Sequence, residues 1–148
     1  MAAVFLVGCA RLGQSEAGTG EQPAGATQLQ APSYTVMCDE GADSAIVCSV
    51  DHDTYTGWGQ YTKYCAGCHG SSAFGTERGP DLTQSLDTNI DYFDIHFVIM
   101  RGRHSPEGDM PSWEGEAEVV NQIDQIYRYL KARADAVLPP GVPNRTKQ

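Results

Sequence analysis

The chain has 148 residues, 41% of them hydrophobic, and a formal net charge of −9 at pH 7. This is one domain's worth of chain plus tails, with apolar content for a small core. The acidic balance argues against nucleic acid as a partner and favours a basic or locally basic one. No run of 18 apolar residues occurs, so no segment reads as a membrane-spanning helix.

Residues 1–9, Met-Ala-Ala-Val-Phe-Leu-Val-Gly-Cys, are apolar but lack a basic start and are too short for a full export signal. The missing basic segment points to a natural start upstream of Met1. Leu6-Val7-Gly8-Cys9 resembles a bacterial lipobox, which makes Cys9 a lipidation candidate; the alternative is the tail of an ordinary signal with an incidental cysteine. Residues 10–33 are rich in Gly, Ser, Ala, Gln and Thr and read as a flexible linker, with too little apolar surface to fold.

Two β-prone runs follow, Tyr34–Cys38 and Ala45–Val50, separated by the turn-forming stretch Asp39–Ser44. They predict a small hairpin over 34–50. Cys38 and Cys48 can pair across it as a disulfide, which implies an oxidising compartment. The acidic turn lacks the EF-hand pattern and reads as a solvated loop rather than a calcium site. Asp51, His52, Asp53 and Thr54 supply candidate N-caps for a helix from about Thr54 to Tyr64, with Tyr55, Trp58 and Tyr61 on one face. Gly57 and Gly59 weaken that helix locally, and a glycine so placed commonly answers to close approach by another helix.

The helix runs into Tyr64-Cys65-Ala66-Gly67-Cys68-His69-Gly70. Two cysteines one helical turn apart, followed at once by histidine, form the signature of covalent haem c attachment. Each thiol adds across one porphyrin vinyl group, and the next residue offers its imidazole to the iron from the proximal side. Three other readings stand beside it. Half of a zinc site would need a second ligand pair, for which the ten-residue separation of Cys38 and Cys48 is poorly suited. A thioredoxin-like redox pair would need a βαβ context. The third is a chance match.

Gly70 to Gly79 is loop-like, and Gly79-Pro80-Asp81-Leu82 comes next, with Pro80 eleven residues past His69. With this element the chain resembles the class I cytochromes c, in which a Gly-Pro-x-Leu segment follows the haem motif. The resemblance implies that the Pro80 carbonyl accepts a hydrogen bond from Nδ1–H of His69, fixing the tautomer and making the ligand more basic. Thr88 or Asn89 can cap a helix running to about Arg101 and ended by Gly102. The family's distal ligand is a methionine on a non-helical loop, commonly followed by proline. Met110, 41 residues after His69 and followed by Pro111, fits; Met100 lies in an apolar helical run and is the alternative. His104 is a further alternative, although it reads as exposed, and His52 and His96 default to surface or core. Arg101 and Arg103 are candidates to neutralise haem propionates, with ordinary solvated arginine as the competing reading.

The last helix is expected over about Glu116 to Ala134, with Val119, Val120, Ile123, Ile126, Tyr127, Leu130 and Ala134 at three-four spacing, stopped by Leu138-Pro139-Pro140-Gly141. Members of the family cross their first and last helices closely, with a glycine eight residues and an aromatic four residues before the first haem cysteine. Gly57 and Tyr61 match, and Tyr127 and Leu130 are expected opposite them. The resemblance covers about 51–141, the cytochrome domain, and leaves 142–148 as a tail.

The resemblance implies an all-α class I cytochrome c fold, three main helices around one covalently bound haem c, with a small N-terminal β-hairpin extension. It implies an electron-transfer protein rather than an enzyme, with His69 and Met110 saturating the iron. Val50–Gly70, and Tyr129–Asp135 followed by Leu138–Gly141, are also similar to the small cytochromes that serve pyrroloquinoline-quinone (PQQ) alcohol dehydrogenases. Within that group the likeness is to the cytochrome cL-like acceptors of methanol dehydrogenase, including the lanthanide-dependent type. The expected setting is the periplasm, with a lipid anchor through Cys9 as an option, such a dehydrogenase as donor, and a downstream cytochrome or oxidase as acceptor. Asp109, Glu114, Glu116 and Glu118 are expected to form a negative docking rim, or else an ordinary acidic helix start. Rival readings are a general carrier feeding a terminal oxidase and a haem enzyme or sensor with an open sixth position.

Overall fold

The computed structural model describes residues 30–41, 44–88, 90–105 and 108–146. The signal remnant with Cys9, nearly all of the expected linker, and the candidate cap Asn89 lie outside the described residues. Among the described residues no helix is long and apolar enough to cross a membrane.

Helix α1 (His52–Tyr64) starts where the chain provides a cap: the Asp51 carboxylate accepts from the Thr54 N–H (2.9 Å) and hydroxyl (2.8 Å), and from the Thr35 N–H (2.6 Å). Burial alone would raise the Asp51 pKa, but these donors, with Arg128 beyond them, hold it below the ordinary carboxylate value. Helices α2 (Ala66–His69), α3 (Leu82–Thr88), α4 (Tyr92–Arg101), α5 (Ala117–Val120) and α6 (Ile123–Ala134) follow.

The core is built where α1 crosses α6. A Cβ added at Gly57 would lie 1.7 Å from the Gln125 carbonyl oxygen, so only a glycine lets the two backbones approach this closely. One turn on, Tyr61 is fully buried, its ring 5.1 Å from that of Tyr129, and its hydroxyl donates to the Gly70 carbonyl at 2.5 Å. The aromatic facing Tyr61 is thus Tyr129 rather than the expected Tyr127, whose ring packs edge-on against Tyr92 at 5.1 Å and so ties α6 to α4.

Two helix boundaries differ from expectation. Thr88 ends α3 rather than capping α4; the cap is Asp91, which forms a reciprocal capping box with Asp94. The last helix is two pieces. Glu116 caps α5, and Gln122 (φ −128°, ψ 23°) leaves the helical region before α6 begins. The Asn121 and Gln122 N–H groups fold back onto the Ala117 and Val119 carbonyls, closing a tight turn there.

Strands β1 (Val36–Glu40) and β2 (Ile46–Val50) form the antiparallel hairpin, with Cys38 directly opposite Cys48 and joined to it by a disulfide. The hairpin is part of the core rather than an appendage. Val50 is fully buried, the Tyr34 hydroxyl donates to Asp135 at 2.5 Å, and Arg128 donates to the Ser33 carbonyl. Three strands were not expected as such. Arg103–Ser105 (β3) and Gly108–Met110 (β4) make a second hairpin, and Asn144–Arg145 (β5), inside the expected tail, adds to β2 in parallel. The described residues are therefore predominantly helical with two small sheets, where the sequence led us to expect a helical fold with one N-terminal hairpin.

Candidate haem-binding site

The end of α1 delivers the motif. Cys65 closes α1 and opens α2, and its carbonyl accepts the N–H groups of Cys68 (3.1 Å) and His69 (3.0 Å). This single helical turn sets both thiols at one-turn spacing, with the imidazole next in line. Both thiols are free, whereas Cys38 and Cys48 are consumed by their disulfide and cannot complete a zinc site with them. Burial, and then the neighbouring Cys68, push the Cys65 thiol up to about 12.

His69 is buried at 7% exposure, and its Nδ1 lies 3.0 Å from the Pro80 carbonyl oxygen. As donor to a carbonyl, Nδ1 carries the proton and Nε2 is left as the lone-pair nitrogen. The loop is shaped around this contact. A Cβ at Gly79 would fall 3.0 Å from the ring and 3.1 Å from the Cys68 carbonyl, so the backbone leading into Pro80 packs closely against the imidazole. The Thr76 hydroxyl donates to the Cys68 carbonyl (2.5 Å), the Gly75 N–H to the His69 carbonyl (2.9 Å), and the Leu82 N–H to the Ala73 carbonyl (2.9 Å).

Met110 ends β4, so it sits on a short strand rather than in an irregular loop. Register explains what it faces: Arg103 pairs with Met110 and His104 with Asp109, and successive residues point to opposite sides. Met110 is half-buried against the core and shares its side of the hairpin with Arg103. Arg103 lines a cleft of about 390 Å³ together with Ser85, Ile90, Asp94 and Val98. His104 is on the other side, its side chain 89% exposed and paired with Asp109. The segment after Met110 is stitched to the end of α4 by the Ser112 hydroxyl on the Met100 carbonyl (2.6 Å) and the Trp113 N–H on the Ile99 carbonyl (3.0 Å). Arg101 points elsewhere, to Glu114 at 3.6 Å. His96 meets Asp124 at 3.0 Å, and His52 is an exposed first-turn residue of α1.

The expected acidic rim is largely paired. Asp109 meets His104, Glu114 meets Arg101, and Glu118 meets Lys63 (2.6 Å) and the Tyr64 hydroxyl (2.9 Å). Two contributors escaped the sequence reading: Ser112, which anchors the methionine segment, and Tyr129. Neither carried a local signal beyond a turn-prone serine and a second aromatic on an apolar helix.

Two free thiols at one-turn spacing, a buried imidazole with its proton assigned to Nδ1, and a thioether on an anchored strand fit a covalently bound haem. The comparisons with known proteins agree. The family described as "Cytochrome C oxidase, cbb3-type, subunit III" matches residues 52–130. Cytochrome c-555 of Methylococcus capsulatus (strain Bath) is 34% identical over 101 residues, 68% of this chain and 78% of the relative. Cytochrome c-553I of Paracoccus denitrificans is 32% identical over 116 residues, 76% of this chain but 47% of the relative. The crystal structure of the c-type cytochrome XoxG from Methylobacterium extorquens AM1 superposes with a TM-score of 0.62 at 24% identity, covering 72% of this chain and 71% of that one, which shows a shared fold. The chain belongs to the class I c-type cytochromes: it is an electron carrier built on one covalently bound haem c, and not an enzyme.

Proposed function

We propose that the chain carries single electrons on a haem attached through Cys65 and Cys68, with His69 and Met110 as axial ligands, in the periplasm, and that its donor is a PQQ-dependent alcohol dehydrogenase of the methanol-oxidising kind. The bound group supplies a one-electron Fe(III)/Fe(II) couple. The protein's part is to hold it in one geometry in both states. The Pro80 carbonyl orients His69, and the β3–β4 hairpin presents Met110. A sulfur ligand opposite an imidazole favours Fe(II) relative to two nitrogens. Its position beside Met110 on the hairpin and on the cleft wall supports Arg103 as the arginine that would neutralise a propionate, while Arg101 faces Glu114.

The observation that carries the reading is the His69–Pro80 contact at 3.0 Å directly after two free thiols. The Cys38–Cys48 disulfide supports an oxidising compartment. The donor rests on the two stretches similar to the cytochrome cL-like acceptors, Val50–Gly70 and Tyr129–Gly141. Stopped-flow mixing of the ferric protein with reduced quinoprotein methanol dehydrogenase tests it: rapid, complete haem reduction is expected. No reduction would remove this donor and leave a carrier feeding a terminal oxidase, the reading favoured by the oxidase-subunit family description.

A further inference from the structure

Arg133, in the last turn of α6, is 5% exposed, and among the described residues no carboxylate forms an ion pair with it. Its partners are neutral. Nη2 and Nε donate to the Ser72 carbonyl at 3.0 and 3.3 Å, Nη1 donates to the Leu138 carbonyl, and the guanidinium lies over the Phe74 ring, 4.9 Å from its centroid. A last-turn arginine on a surface helix ordinarily sits in water beside the helix carbonyls. Here the charge is held inside, where desolvating it is costly and its field is poorly screened.

What Arg133 grips is the loop that carries the proximal machinery. Ser72 is three residues past His69. Its neighbour Ala73 bonds back to the Gly70 carbonyl and accepts the Leu82 N–H, two residues beyond Pro80. Contacts thus run without a gap from Arg133 through Ser72 and Ala73 to Leu82 and Pro80, and so to His69. The charge is felt along the same path. Asp81, next to Pro80, has its pKa held down; burial opposes this, the Thr83 and Gln84 donors cause most of it, and Arg133 adds to it.

We propose that Arg133 is a positioning residue for the proximal side of the haem: it fixes the Ser72–Leu82 loop that brings the Pro80 carbonyl to His69, and its buried charge biases the iron toward the ferrous state. The proposal rests on the ligand assignment above. The sign follows from charge: the ferric haem carries one positive charge more than the ferrous, so a fixed cation nearby disfavours the oxidised form. The electron exchanged in the measurement comes from a soluble mediator.

The test is the midpoint potential of the purified holoprotein, for wild type, Arg133→Met and Arg133→Lys, after a peptide map has confirmed haem on Cys65 and Cys68. Arg133→Met should favour the ferric form by about tenfold, a fall of about 59 mV for one electron. Arg133→Lys should stay near the wild-type potential while melting at a lower temperature, because lysine keeps the charge but loses the fork that holds Ser72 and Leu138 together. If Arg133→Met does not assemble, Arg133→Gln, which retains donors without the charge, gives the same readout. An unchanged potential in the neutral variant overturns the proposal, as does an equal fall in the lysine variant. Wild-type protein without haem on Cys65 and Cys68 would overturn the ligand assignment first, and the peptide map separates that failure from failure of the Arg133 role.

Discussion

Gly57 and Gly59 stand two residues apart on the same helix, and the structure gives their replacement opposite signs. Alanine at either site gains about 1 kcal/mol of helix propensity over glycine. At Gly59, exposed and with no atom within 4 Å of an added Cβ, nothing opposes the gain, and Gly59→Ala should stabilise by about 0.5–1 kcal/mol. At Gly57 the Cβ would stand 1.7 Å from the Gln125 carbonyl oxygen and 3.0 Å from the Ile126 nitrogen. Both are backbone atoms of α6, so no side chain can move aside and the helices must separate. Overpacking of this kind costs typically 1–3 kcal/mol, and a backbone-on-backbone clash belongs at or above the upper end. Set against the propensity gain, the net loss is about 2 kcal/mol, or about 4–16 °C in Tm for a domain of this size. The crossing also seats Tyr61 on Tyr129, so the near-ultraviolet circular dichroism should change with it. Paired thermal melts of the two variants check this. A Gly57→Ala protein melting at or above wild type would refute the close-crossing argument.

The Cys38–Cys48 disulfide should appear as a crosslinked peptide in non-reducing mass spectrometry, and replacing both cysteines by alanine should cost about 2–3 kcal/mol, since the loop it closes is short. Stability should be lost on acidification through Asp51. Its folded pKa is depressed, so its contribution is fully present above the ordinary carboxylate value near 4 and disappears as pH falls through the lower folded value; Asp51→Asn should flatten that part of a Tm–pH profile. Neutralising Glu114 and Glu116 together removes two negative charges beside the Met110 segment, so it should lower the second-order rate of reduction at low salt and leave the haem spectrum unchanged. A rate equal to wild type at low salt would remove the acidic rim as a steering feature.

Local chemistry made much of the site legible. Cys65, Cys68 and His69 declare themselves by spacing, Pro80 by its place after them, and Asp51 by its position before an apolar-periodic run. The α4 cap was misplaced: Thr88 and Asn89 were the candidates, whereas Thr88 ends the preceding helix and Asp91, boxed with Asp94, caps α4. What stayed hidden depends on contacts far apart in sequence. Tyr127 and Tyr129 both suit an apolar face, and only the point at which Gly57 meets α6 decides which faces Tyr61. Asn144 and Arg145 form a strand because β2 offers an edge, with no pattern of their own. Arg133 looks like any basic residue closing a helix until Ser72 and Leu138 enclose it. Of the acidic residues around Met110, Glu114 and Glu118 each face a basic side chain in three dimensions, Asp109 faces a histidine, and Glu116 caps a helix.

The central claim is a haem with both axial positions filled from this chain, His69 on one side and Met110 on the other. The most direct measurement is the long-wavelength ferric absorbance band of a methionine sulfur–iron bond, recorded for the wild-type holoprotein, Met110→Ala and Met100→Ala. The account predicts the band in wild type, its loss in Met110→Ala together with a lower potential, and its retention in Met100→Ala. The Met100 change should cost only packing, about 2 kcal/mol for a partly buried side chain. A band that survives Met110→Ala, or disappears in Met100→Ala, would contradict it.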